Sequence, residues 1–162
     1  MSFAYLASTP GLKHNYSLYA VPAGWVVSML PIWWAIGTAE STSRGTYNNA
    51  MPSETWGNLK ERLPEQTYKR VIRAVAANNN SHVNLPLFAS ALVLGNLVHL
   101  PSRTLHLCAG GYLALRFAYN VAYILIEDRA WSYIRSALYF SGVGTCLTLF
   151  IKSANKLATL PW

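Results

Sequence analysis

Three arginines, four asparagines, three tyrosines and one histidine stand inside otherwise apolar runs of this chain: Arg73, Arg116, Arg135, Asn78, Asn80, Asn84, Asn120, Tyr119, Tyr123, Tyr139 and His82. Arg73, Ala77, Asn80 and Asn84 follow i, i+4, i+7, i+11, which is one face of a helix. Arg116, Tyr119 and Tyr123 follow i, i+3, i+7, and Arg135 and Tyr139 are i, i+4. Arginine binds a carboxylate or stabilises a developing anion, an amide orients it, and a phenol donates a proton to an oxyanion. His82 could give or accept a proton near neutral pH. No His-x-x-x-His or Cys-x-x-Cys spacing and no phosphate-cradling glycine loop occurs, so neither a metal nor a nucleotide is expected.

These residues need a scaffold that hides them from lipid. The chain is 52% hydrophobic and 12% charged, against about 25% charged in soluble domains. Its six Trp and ten Tyr suit two membrane–water interfaces. Segment one, residues 16–39, is uncharged and exceeds the ~20 residues that cross a bilayer, with Pro22 and Pro31 as expected kinks. Residues 40–66 form a polar loop, with a short helix expected near Trp56–Arg62. Helices are expected at 67–100, 103–126 and 132–157, with Pro101-Ser102 separating the second from the third. Short connections make these three antiparallel neighbours. The expected fold is all-α, a single domain over 1–162 built as an integral membrane four-helix bundle. Cys108 and Cys146 lie in apolar runs and read as packing residues. Met1–Leu12 lacks a signal-peptide pattern, which makes the first segment an uncleaved anchor.

The net charge of +7 is dispersed over segment ends, which favours anionic lipid over nucleic acid as the partner. One side carries Arg44, Lys60, Arg62, Lys69, Arg70 and Arg129; the other carries Lys13, Arg103, Lys152 and Lys156. Positive loops stay cytoplasmic, so both termini are expected on the lumenal side. Arg73 to Asn84, Arg116 to Tyr123 and Arg135 to Tyr139 then gather toward the cytoplasmic end. Plainer roles compete: arginines snorkel to headgroups, tyrosines form the interfacial belt, and asparagines join helices.

At these residues the chain resembles the MAPEG superfamily, membrane-associated proteins of eicosanoid and glutathione metabolism, and within it the fungal branch. The resemblance rests on Asn15-Tyr-Ser-Leu-Tyr-Ala-Val-Pro-Ala-Gly-Trp-Val-Val-Ser, on Arg73-Ala-x-x-Ala with Asn80, and on Asn84-x-Pro-Leu-Phe88. It continues through Gly110-Gly-Tyr-Leu-Ala-x-Arg-x-x-Tyr-Asn-x-x-Tyr123, Arg135-Ser and Leu149-Phe-Ile-Lys-Ser-Ala. It covers nearly the whole chain outside 40–66. It implies a homotrimer with sites between subunits near the cytoplasmic side, holding glutathione beside a lipophilic electrophile. By position Asn80, Tyr119, Tyr123 and Arg135 would be site residues, with Arg135 or Arg116 stabilising the thiolate. The chain departs from the branch at Asn78, where histidine is usual, and at Val83, where a glutamate helps hold the glutathione amino group.

An isopropyl group cannot replace a carboxylate. The leading expectation is therefore an enzyme on a lipophilic small molecule that requires no glutathione, working by acid–base isomerisation, cyclisation or epoxide opening, in fungal secondary metabolism. Arg135, Tyr123, His82 and Arg116 are its expected catalytic residues; Arg73, Asn78, Asn80, Asn84, Tyr119, Asn120 and Tyr139 are the expected binding residues. The alternatives are a glutathione transferase or glutathione-dependent isomerase, and a non-catalytic lipid-binding protein. The endoplasmic reticulum or another endomembrane is the expected location.

Overall fold

A computed structural model describes residues 15–159; Met1–Leu12 and Lys13 lie outside the described residues. Among the described residues all regular structure is helical. A 3₁₀ turn, Ser17–Tyr19, leads into α1, Ala20–Thr42; α2, Pro52–Asn58, and a 3₁₀ turn, Leu59–Glu61, lie in the polar connection. α3 is Glu65–Leu97, α4 is Ser102–Leu125 and α5 is Ser132–Ala158. The four long helices form the expected bundle. Cys108 and Cys146 are both free thiols.

Ser17–Thr42 and Ser132–Ala158 are each long and apolar enough to cross a membrane, at mean hydropathy 1.4. α3 and α4 fall short because they carry the polar side chains, and those turn inward: Ser81, Asn84, Arg116 and Asn120 are all buried. Outward stand Trp25, Trp33, Trp34, Phe117, Phe140 and Ile151. A face of that kind suits lipid tails.

α1 buries Ala20, Gly24, Ser28, Pro31, Ala35 and Ala39. This stripe of small residues lets helix backbones approach closely, the usual packing mode where no hydrophobic effect separates helix from lipid. A Cβ at Gly24 would meet Leu85 Cδ1 at 3.1 Å, and one at Gly95 would meet Leu105 Cδ2 at 2.9 Å. The apolar core comes in two parts. Phe88, Leu92, Leu105, Tyr112, Cys146 and Leu149 pack at the end where α1 begins and α5 finishes, with the Phe88 and Tyr112 rings stacked at 3.8 Å. Ala35, Ala39, Leu59, Leu63, Val71 and Ala74 pack at the opposite end, where the 59–63 turn docks on the bundle. A polar layer lies between the two.

α3 stops at Leu97, three residues short of the sequence expectation. His99 adopts φ 55°; its N–H donates to Asn96 O, and Leu100 N–H donates to Gly95 O at 2.9 Å. That pair of bonds is the Schellman termination, formed here with a histidine in the position usually given to glycine. Lys156 Nζ donates to the His99 carbonyl, tying the end of α5 to the turn.

Arg73 holds the opposite end. Its Nε donates to Ile124 O at 3.0 Å and its Nη2 pairs with Glu127 Oε1 at 2.6 Å, joining the start of α3 to the end of α4. The hydrogen bond and charge of Arg73 hold the Glu127 carboxyl below its usual 4.5. A depressed carboxyl stabilises the fold above its unfolded value and loses that contribution as pH falls through the folded one. The natural chain should therefore lose thermal stability relative to Glu127→Gln as pH drops below 4.5, measured as paired denaturation midpoints. The difference should be small, because exposed pairs are worth little.

Candidate active site

Pro31 explains much of the polar layer. A proline has no N–H, so the carbonyl four residues before it, Val27 O, lacks its helical partner. Asn120 Nδ2 takes that carbonyl at 2.9 Å, while Asn78 Nδ2 donates to the neighbouring Ser28 O at 2.8 Å. Ser81 Oγ in turn donates to Asn120 Oδ1 at 2.8 Å. In lipid each such carbonyl must be satisfied from within the protein. Asn78 and Asn120, expected as binding residues, are engaged with the α1 carbonyls beside Pro31. Arg73 is likewise committed, to Ile124 and Glu127. His82 Nδ1 lies 2.9 Å from Asn78 O and shares the Asn78 face of α3, turned toward α1.

The remaining expected residues meet. Asn80 Nδ2 donates to Tyr119 Oη at 3.0 Å, and Asn84 Nδ2 donates to Tyr139 Oη at 2.9 Å. Each phenol thus accepts an amide N–H and keeps its own proton for donation. The Tyr119 ring lies 5.8 Å from Tyr139 and 5.4 Å from Tyr123. Arg135 Cζ stands 4.7 Å from the centre of the Tyr123 ring. Between α4 and α5 these side chains line a cavity of about 330 Å³, formed by Tyr119, Tyr123, Ser132, Arg135, Ser136, Tyr139 and Phe140. Arg135 is half-buried and forms no ion pair among the described residues.

Behind two of these rings stands Arg116, 2% exposed. Its guanidinium lies 4.9 Å from the Tyr139 ring centre, 5.3 Å from Tyr112 and 5.6 Å from Tyr119. None of its three nitrogens has a hydrogen-bond partner among the described residues. Gly142 makes the space, since a Cβ there would sit 3.4 Å from Nε and Nη2. A buried cation without an acceptor costs several kcal/mol, offset here only by ring faces worth about 0.5–2 kcal/mol each.

The arrangement offers one accessible cation, Arg135, a second cation behind the rings, and five hydroxyls. It can bind an anion or an oxygen that becomes anionic, and it can donate protons to it. Its lining contains no carboxylate. The sequence reading missed Ser132, Ser136, Phe140, Tyr112 and Gly142 as site residues. Ser132, Arg135 or Ser136, and Tyr139 run at i, i+3 or i+4, i+7, so extending the Arg135–Tyr139 face by one turn finds the first of them. Val83 is 75% exposed on α3, away from the cavity of its own subunit.

A second and larger cavity, about 420 Å³, lies in the 43–64 connection and shares no residue with this one. The residues that could do chemistry on a membrane-soluble molecule are at the α4–α5 cavity, and that is the candidate site. No group of histidine, cysteine and acidic residues able to hold a metal occurs among the described residues.

The model of the MAPEG family matches residues 18–155. No curated protein and no solved structure matches the chain. Members of this family are commonly membrane enzymes, transferases and isomerases that handle glutathione and lipophilic substrates. With the match running from the first helix into the last, the chain is a membrane-associated member of the MAPEG family.

Proposed function

We propose that the α4–α5 cavity is the active site of a membrane enzyme that isomerises, cyclises or opens an epoxide in a lipophilic small molecule without glutathione. The observation that carries this reading is that no carboxylate lines the cavity to pair with an ammonium group. Glutathione presents one ammonium beside two carboxylates. The chain has six acidic residues in all, Glu40, Glu54, Glu61, Glu65, Glu127 and Asp128, and none lines the cavity. A second copy would bring only the same six, of which Glu65 and Glu127 are already paired with Lys69 and Arg73. Stranding an ammonium at a buried site costs several kcal/mol.

In this reading Tyr123 O–H gives its proton to the substrate's carbonyl or epoxide oxygen while Arg135 stabilises the charge that develops there. For an epoxide, the C–O bond breaks as that proton arrives and an internal alkene or hydroxyl closes on the carbon. The proton released on closure returns to the Tyr123 oxygen, so the reaction is redox-neutral and needs no cofactor. Tyr119 and Tyr139, oriented by Asn80 and Asn84, hold the oxygen in place. His82 lies outside the cavity within one subunit and would act only at a contact between copies.

The test is turnover of lipophilic epoxides and unsaturated ketones by the detergent-purified protein in thiol-free buffer. Turnover that appears only with glutathione, together with ultraviolet thiolate absorbance, would favour the glutathione transferase reading, which family membership and the unpaired Arg135 support. Saturable lipid binding with no turnover at all would favour a non-catalytic lipid-binding protein. A fungal secondary pathway and an endomembrane such as the endoplasmic reticulum, with lumenal termini, are the setting this reading assumes.

A homotrimer is part of the proposal. Asn79, Val83, Pro86, Ser90, Val93 and Leu97 are all exposed on α3, at spacings of 4, 3, 4, 3 and 4 residues. A seam of that period suits a second helix better than lipid, because it carries Asn79 at membrane depth. Cross-linking in detergent should give a ladder ending at three subunits, and Val93→Trp should shorten it. A ladder that ends at one subunit removes the trimer.

A further inference from the structure

The connection between α1 and α3 is more ordered than a link between two spans requires. Glu40, at the end of α1, accepts the backbone N–H of Gly45 at 3.0 Å and of Tyr47 at 2.6 Å. Asn48 N–H donates to Thr55 Oγ1 at 3.0 Å, Ala50 N–H donates to Asn48 Oδ1, and Thr46 Oγ1 donates to Ser43 O. Thr46 and Thr55 are buried, and Leu59 and Leu63 anchor the segment into the end of the core. This framework forms the walls of the open cavity of about 420 Å³, whose lining includes Tyr47, Asn48, Glu54, Asn58 and Arg62.

Three features of that lining belong together chemically. Arg62 and Glu54 form ion pairs neither with each other nor with any other described residue. The half-buried Tyr47 ring is backed by Trp56, with ring centres 5.6 Å apart. A guanidinium matches a phosphate oxygen pair, while a carboxylate beside an aromatic face matches an ammonium or quaternary ammonium group. Asn48 and Asn58 add donors and acceptors for ester oxygens. The segment lies at one end of the bundle, where a bilayer spanned by these helices would have its headgroup layer.

We propose that this cavity binds the headgroup of a zwitterionic phospholipid, phosphocholine or phosphoethanolamine, with Arg62 on the phosphate and with Glu54 and Tyr47 on the ammonium. The site is separate from the α4–α5 cavity and stands whether or not that cavity is catalytic. It would fix one lipid per subunit at the loop end of the bundle.

Intact-protein mass spectrometry tests this, using the full chain in micelles doped with equal amounts of phosphatidylcholine, phosphatidylethanolamine and phosphatidylglycerol. One zwitterionic lipid per subunit should be retained, at least tenfold over phosphatidylglycerol. Glu54→Gln should erase that preference while phosphate lipids still bind; Arg62→Gln should lower retention of all three at least tenfold. Soluble glycerophosphocholine should compete with the retained lipid, which shows that the headgroup is what is recognised. Both side chains are exposed, so neither substitution disturbs the buried framework. Equal retention of phosphatidylglycerol by the natural chain overturns the proposal. So does unchanged retention in both variants, or a retained lipid that glycerophosphocholine cannot displace.

Discussion

Replacing Arg116 by methionine should leave the fold at least as stable as the natural chain while cutting turnover at least tenfold. Removing a buried charge is usually damaging because a partner is left behind, at about 3–5 kcal/mol. Arg116 has no such partner: none of its nitrogens donates a hydrogen bond among the described residues. What is lost is three contacts with ring faces at 4.9–5.6 Å, near the ~6 Å limit of useful attraction. What is gained is relief from a desolvation penalty of several kcal/mol. Methionine is flexible, fills similar space and makes sulfur–aromatic contacts of its own, worth about 0.3–1.5 kcal/mol. Function should respond differently. Charge developing on a substrate oxygen held at the Tyr139 hydroxyl lies beyond the ring, roughly 10 Å from the guanidinium, and interacts with it by about 1.7 kcal/mol at an effective dielectric of 20. That still exceeds the ~1.4 kcal/mol that separates tenfold rates. Denaturation midpoints and turnover measured on the same preparation decide the matter. A midpoint that falls by several degrees with turnover unchanged would make Arg116 a packing residue and remove it from the chemistry.

The four-helix plan was legible because membrane helices must carry long apolar runs, and Pro101 and the polar 40–66 stretch mark breaks that lipid does not allow inside a span. The facing of Asn80, Asn84, Arg116, Tyr119 and Tyr139 was legible from helical spacing, which places side chains on faces without any knowledge of neighbours. Spacing does not say which neighbour a face meets. Asn78 is two residues from Asn80, so it projects roughly 200° away and reaches the Ser28 carbonyl of α1, beside the one that Pro31 leaves without its helical partner. Asn120 follows Tyr119 by one residue and turns to that unpartnered carbonyl. Arg73 shares the Asn80 stripe but stands two turns nearer the helix start, beyond the cavity and within reach of Glu127. α3 stops three residues before the expected approximate end because His99 takes a left-handed conformation, uncommon outside glycine. Family resemblance added the trimer and the glutathione expectation, which no periodicity contains.

Tyr123→Phe and Arg135→Ala should each abolish most turnover while leaving the bundle nearly as stable as before. Neither side chain is part of the hydrogen-bonded network around Pro31. Tyr123 O–H makes no hydrogen bond among the described residues, and Arg135 stands over the Tyr123 ring, a contact worth about 0.5–1 kcal/mol at a half-exposed site. A positioned proton donor contributes about 10²–10⁴ in rate, and a group that stabilises an oxyanion about 10²–10³. If both act on the same oxygen, the double variant should lose much less than the product of the two single losses, since either removal already disables the unit. Arg135→Lys should recover part of the rate, because a point charge remains although the planar fork is gone. Glutathione then separates the two enzyme readings on the same proteins. In a glutathione-independent enzyme Arg135→Ala slows the thiol-free reaction, and calorimetry detects no glutathione binding to either protein. In a transferase, the natural chain binds glutathione and forms thiolate, and Arg135→Ala loses the thiolate more than the binding, because the guanidinium favours the charged sulfur over the neutral one.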